Sequence, residues 1–406
     1  MPIPELMGQV MYLSLAVLLG LAVHRLTRLD VTLACLAAGV LAGLGVDWLA
    51  FDTGVRATNL QSLLFYVILP VLIFEAAWHI NPATLKRWLA PILLLATLGM
   101  FASTLVAAAL MYVGIGHPQG FPFIAAVLAA AIVAATDPVG VVSALRRRDA
   151  PEDLTLLVEG ESLFNDATAL VLVAAVLAFA TSGGGATEGS FLWAFFLTFT
   201  GGLVLGALMG LVAAIGVLLL GSSAASNILL LVTAFASFYI AEHLVHVSGI
   251  MTLVAAAITS RALLKEQEQT FLAGVVDTWE WLGLLFNSLV FVLMGLVITF
   301  AMFTEQWLAM LVAIPAALAG RACAVLLTGF LVRGRARPVP WGWQVVLVWG
   351  GLRGAIAVVL VLSLPTSLPY WWTVQSMVFG VVLFSLLVQG TTMGPVIARY
   401  GQSTRA

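Results

Sequence analysis

Apolar runs long enough to cross a bilayer follow one another along this chain almost without pause. They fall at 8–25, 31–48, 61–80, 89–113, 121–146, 155–181, 190–220, 226–245, 249–264, 272–301, 306–332, 342–364 and 372–399. A hydrocarbon core about 30 Å thick takes roughly 20 apolar residues per helix. Backbone polar groups can be satisfied there only within helices or closed barrels. The expectation is an all-α polytopic membrane protein with about 13 transmembrane helices. Composition agrees, with 62% hydrophobic and only 9% charged residues, against about 25% charged in soluble domains. Residues 1–406 read as a single membrane domain with no soluble tail domain, so a soluble enzyme is excluded. A net charge of −2 gives no electrostatic basis for binding nucleic acid. The first residues, "MPIPELMGQV", lack the positive start of a signal peptide. Cys35 and Cys323 sit in apolar runs without disulfide or metal spacing.

Charge in the gaps between the runs orients the chain. With the N-terminus outside, the inward gaps hold Arg25 and Arg28, Lys86 and Arg87, Arg146 to Arg148, Arg261 and Lys265, and Arg333, Arg335 and Arg337. The C-terminal tail adds Arg399 and Arg405, and the outward gaps hold Arg56 alone. The positive-inside rule then places the N-terminus outside and the C-terminus in the cytoplasm of a multi-pass cell-membrane protein. Arg321 and Arg353 remain, both near the middle of a span.

Two runs carry helix breaks. Helix 5 contains "AATDPVG", where Pro138 lacks an N–H and clashes with the carbonyl of Ala134. Helix 12 contains "VWGGLRGA", with Gly350, Gly351 and Gly354 around Arg353. The two are seven helices apart, so they run in opposite directions. That pattern predicts two inverted repeats, helices 1–6 and 8–13, with crossed, interrupted helices 5 and 12. Half-helix ends carry partial charges that an acid and a base can neutralise. Asp137 stands at the first break and Arg353 at the second. The plainer readings are a proline kink and glycines for close packing.

Helix 6 opens "LVEGESLFNDATALV". A charge at the centre of a spanning helix costs about 2.5–3.5 kcal/mol on insertion scales, so these acids need partners or water. At about 100° per residue, Ser162 and Asp166 share a face, with Glu159 two turns before Asp166. Glu161 and Asn165 lie on a neighbouring face. Asp166 with Ser162 can face a cation, while Glu161 needs a fixed partner, Arg321 or Arg353. Glu159 reads equally as part of a solvated mouth or as a ligand. Glu75, in "LPVLIFEAAWHI", either coordinates or gates an ion, or snorkels to the interface. Asp277 and Glu280, beside Trp279 and Trp281, read as interfacial. Glu242, His243 and His246 could resemble a metal patch, but no third convincing ligand follows and no HExxH is present, so they read as a solvated outer edge.

The segments "ATDPVGVVSAL", "LVEGESLFNDATALV", "LIFEAA", "NSLVFVLMG" and "WGGLRGAIAVVL" together resemble the monovalent cation:proton antiporters of the sodium/proton exchanger type. The resemblance covers almost the whole chain, and the Asn165–Asp166 pair is similar to the electroneutral branch. It implies that Asp166 binds the ion, that Asp137 and Thr136 shape the site, and that Ser162 contributes an oxygen. Asp166 and Asp137 are thus the ligands expected for a monovalent cation. It implies also that Glu161 pairs with an arginine and that Asn165 never ionises. Homodimers are implied, with a moving core at 86–183 and 303–400, a scaffold at 1–85 and 226–302, and a connecting helix at 184–225. The partners implied are monovalent cations, protons and the bilayer, with no cofactor. The expected function is exchange of sodium (or lithium) for protons, one for one, by alternating access, with proton and cation competing for Asp166. Potassium/proton antiport is the alternative. An intramembrane hydrolase, from a different class, would need a base that Ser162 lacks at any recognisable spacing, and a channel fits the inverted broken helices less well than a carrier.

Overall fold

The apolar runs form helices, as a computed structural model shows. It describes residues 3–402, apart from 28, 50–62, 81, 117–120, 182–187, 266–272 and 334–337. Arg28, Arg56, Arg335, Arg337 and Arg405, which carry part of the loop-charge argument, lie outside the described residues. No strand occurs among the described residues.

In chain order the helices are α1 (Ile3–Thr27), α2 (Val31–Leu49), α3 (Leu64–His79) and α4 (Leu85–Ile115). A broken pair follows, α5a (Phe123–Ala134) and α5b (Val139–Arg146), then α6 (Glu152–Thr181) and α7 (Glu188–Leu220). Next come α8 (Ser223–Val245), α9 (Gly249–Leu263), α10 (Ala273–Val297) and α11 (Trp307–Leu331). The second broken pair is α12a (Trp341–Trp349) and α12b (Ala355–Leu362), before α13 (Trp371–Gly401). Among the described residues, nine stretches are long and apolar enough to cross a membrane, with Phe123–Arg146 counted as one. α2, α3 and α9 supply shorter apolar segments, and α12 is halved by its break. The run expected to continue to residue 301 ends at Val297. Thr299 is extended, and a separate short helix, Phe300–Glu305, begins after it.

The helices pack in two groups. α4 lies along α11 and α5a, α11 along α13, and α5a along α6. In the other group α1 packs on α2, α2 on α10, and α9 on both α3 and α7. α7, expected as a connector, therefore lies along a neighbour. Gly202, Gly206 and Gly210 recur every fourth residue on it. A Cβ at any of them would run into the carbonyl oxygen of Ser248, Thr252 or Ala256 on α9. This small-residue stripe lets two backbones approach where lipid supplies no hydrophobic drive. The two groups meet where α10 touches α12b and where α3, α7 and α9 touch α6.

Candidate functional site

The two breaks cross and hold each other through backbone bonds. α5a stops at Ala134 because Pro138 cannot support that turn; Ala135 is extended. α12a stops at Trp349, and the chain re-enters a helix at Ala355. Between them, the Asp137 N–H donates to the Leu352 carbonyl at 2.8 Å. Arg353 Nη1 donates to the carbonyls of Ala134 at 2.9 Å and Ala135 at 3.2 Å, which end α5a. Asp137 Oδ1 accepts from the Val139 N–H at 2.9 Å, the start of α5b. The acid thus caps a positive helix end and the base a negative one, as their places in the sequence predict. A Cβ on Gly354 would overlap the Asp137 carboxylate, so only glycine lets the two non-helical segments cross this closely. A π-helical turn of α13 presents Ser385, whose hydroxyl accepts from the Arg353 N–H at 3.1 Å.

α6 lies against the crossing. Ser162 Oγ and Thr136 Oγ1 are 3.0 Å apart. Asn165 Nδ2 donates to the Ala134 carbonyl at 2.8 Å and to Thr136 Oγ1 at 3.2 Å. Asn165 therefore faces the break with Ser162, a correction to the helical-wheel pairing that set it beside Glu161. Glu161 points elsewhere, to Arg321: Nη1 donates to Oε1 at 2.7 Å and Nη2 to Oε2 at 2.9 Å, a bidentate pair. Arg321 Nε also donates to the Leu347 carbonyl at 3.0 Å near the end of α12a. Arg353, the other candidate partner, is committed to the α5a carbonyls. Asp166 is 6% exposed, and its Oδ1 is buried with no hydrogen-bond partner.

A cavity of about 270 Å³ reaches Asp166. One wall is the crossing, with Thr136, Asp137 and Gly354; the other is α3 and α10, with Glu75, Glu280 and Asn287. Glu75 lies in this cavity, its carboxylate 3.3 Å from His79 Nδ1, and His79 Nε2 is 3.5 Å from Glu280 Oε1. Glu159 lies outside the cavity lining and pairs with Arg146 at 3.1 Å. Sequence reasoning missed the α10 wall. Trp279, beside the two acids read as interfacial, is buried and packs on Phe74 with ring centroids 4.6 Å apart. That burial turns the next residue, Glu280, toward the cavity mouth. The spacing of Glu280, Gly283 and Asn287 was the available signal.

A second cavity of about 330 Å³ lies farther along α6. There α6 contributes Leu170, Val171 and Ala174, opposite Glu242 and His246. The Glu242 carboxylate accepts the Gly249 N–H at 2.7 Å, which fixes the start of α9.

Crossed broken helices with a buried carboxylate beside them, one of its oxygens unpartnered, are the architecture of a polytopic secondary transporter. The family model for the transmembrane region of sodium/hydrogen exchangers matches residues 12–399. The chain is 34% identical over 375 residues to the Na⁺/H⁺ antiporter ApNhaP of Aphanothece halophytica, covering 89% of this chain and 68% of that protein. It is 30% identical over 421 residues to the Na⁺/H⁺ antiporter NhaP of Pseudomonas aeruginosa, covering 96% and 95%. It spans 65% of the length of NhaS2 of Synechocystis, to which it is 30% identical. The fold is similar to that of the sodium proton antiporter MjNhaP1 of Methanocaldococcus jannaschii at pH 8, with a TM-score of 0.82, 19% identity and coverage of 98% of this chain and 100% of that one. The chain belongs to the sodium/hydrogen exchanger family.

Proposed function

We propose that the protein exchanges sodium, or lithium, for protons across a cell membrane, one for one, with proton and cation competing for Asp166. The observation that carries this is the Asp166 carboxylate, buried with Oδ1 unpartnered. A bare buried charge costs several kcal/mol, so a proton or a cation must neutralise it. Asn165 cannot ionise, Glu161 is already paired, and Ser162 faces the Thr136 hydroxyl rather than a base. The relatives named as Na⁺/H⁺ antiporters support sodium as the cargo.

In this reading Thr136, Asp137 and Ser162 shape the cation site, and Glu75 guards its approach. Arg321 and Arg353 hold the surrounding frame. Helices α4–α6 and α11–α13 form the moving core, and the remaining group forms the scaffold and homodimer surface. The apolar helices make thirteen spans, with the N-terminus outside. The Asp166 cavity then opens to the cytoplasm, on the side of Lys86 and Arg261. Cation-dependent proton flux in proteoliposomes, screened across lithium, sodium and potassium, tests the proposal. Flux with potassium alone would replace sodium as the cargo; no flux with any of the three would overturn exchange itself.

A further inference from the structure

The cavity wall on α10 holds a polar group with no assigned work. Glu280, Gly283 and Asn287 recur at three- and four-residue spacing, so they form one stripe of the helix, and all three line the Asp166 cavity. Beyond Asn287 the same face continues with Val290 and Phe291, both buried. Asn287 is therefore the deepest polar residue on this wall. Its side-chain amide makes no hydrogen bond among the described residues, and neither of its polar atoms is fully buried. Between it and the mouth, Gly283 leaves room for Glu75, whose carboxyl carbon lies 2.8 Å from where a Cβ would stand.

We propose that Asn287 supplies a carbonyl oxygen to the transported cation from the wall opposite Asp166, and so helps set which monovalent cation is accepted. The inference rests on the exchange reading above and adds a residue to it. An amide oxygen suits a hard monovalent ion, as carbonyl, carboxylate and water oxygens do. It adds a ligand without adding charge or a titrating group, so the balance at Asp166 is untouched. Asn287 sits on α10, Asp166 on α6, and the two helices belong to different packing groups. The cation that touches both is measured against the gap between the groups, which gives a size preference. When the core moves, the ion keeps Asp166 and exchanges the Asn287 oxygen for water. Release is thereby eased on the far side.

The test uses the full-length protein. Half-saturating concentrations for lithium, sodium and potassium are measured as proton flux in proteoliposomes, with cation-induced thermal stabilisation in detergent as a second readout. Asn287→Ala should raise the half-saturating sodium concentration about three- to tenfold, the worth of one polar contact, and should change the lithium:sodium:potassium ratios. Asn287→Asp, of the same shape, should lower half-saturation by placing a second negative oxygen against the ion. Unchanged half-saturation and ratios in both variants overturn the inference. If Asn287→Ala does not fold, Asn287→Asp decides alone, by movement or lack of it in both readouts. A wild-type protein that responds to no cation in either readout overturns the exchange reading, and this inference with it.

Discussion

Glu161 and Asp166 stand on one helix within a turn and a half of each other, and the structure treats them oppositely. Glu161 is 1% exposed and gripped through both oxygens by Arg321. Asp166 is nearly as buried, yet its Oδ1 has no partner and the residue borders a cavity. One acid is built into the frame. The other keeps one carboxylate oxygen free at the edge of a cavity.

The first prediction follows from that free oxygen. Asp166→Asn should abolish cation-dependent proton flux while the protein still inserts and purifies as a folded species. The amide keeps the shape and loses the competition. Undiminished sodium-driven flux in the purified variant would remove Asp166 from the mechanism.

Glu161→Ala should act on folding instead. Removing one partner of a buried pair leaves an uncompensated charge, at a cost of about 3–5 kcal/mol. Thermal unfolding in detergent should show a larger loss for this variant than for Asp166→Ala. A double-mutant cycle should find coupling with Arg321 and little with Arg353. Coupling with Arg353 alone would contradict the bidentate geometry.

Gly354→Ala tests the crossing. Its added methyl meets the Asp137 carboxylate, which also caps α5b through Val139. Overpacking of this kind costs about 1–3 kcal/mol, and exchange should fall with it because the cavity wall shifts. A variant with wild-type stability and flux would mean that the breaks can part without consequence.

Charge balance gives the fourth. With Asp166 alone titrating on the transported face, the loaded site has the same charge with either passenger. A membrane potential acts on moved charge by roughly 2.3 kcal/mol per 100 mV. End-point gradients should therefore be equal in vesicles held at zero and at a large potassium–valinomycin potential. A gradient that shifts with potential would implicate a second titrating group, with Asp137 or Glu75 the first to examine.

The breaks were legible in the sequence because proline and clustered glycine act locally, each within its own helix. So was the role of a charge at each break, which the Asp137 and Arg353 caps fulfil. The partner of Glu161 was not, because Arg321 lies 160 residues away and only packing chooses between two arginines. Helical periodicity put Asn165 with Glu161, yet the nearest acceptors for its amide, at Ala134 and Thr136, pull it to the other side. The α10 wall was hidden for a different reason. Tryptophan beside an acid near a helix start is a common interfacial pattern, and nothing local in the sequence says that Trp279 is buried on Phe74.

Asp166 and Leu170 line different cavities, although one turn of α6, about 6 Å, separates them. Water filling both spaces would drop most of the membrane's voltage across that turn, instead of spreading it over about 30 Å of hydrocarbon. The electric field at the carboxylate would then be about five times that of a uniform slab, by the ratio of these two lengths. A naked charge there would be driven hard by every change in potential. A site that travels only when neutralised by its passenger is insulated from that field by its load, and needs no thickness of protein to shield it.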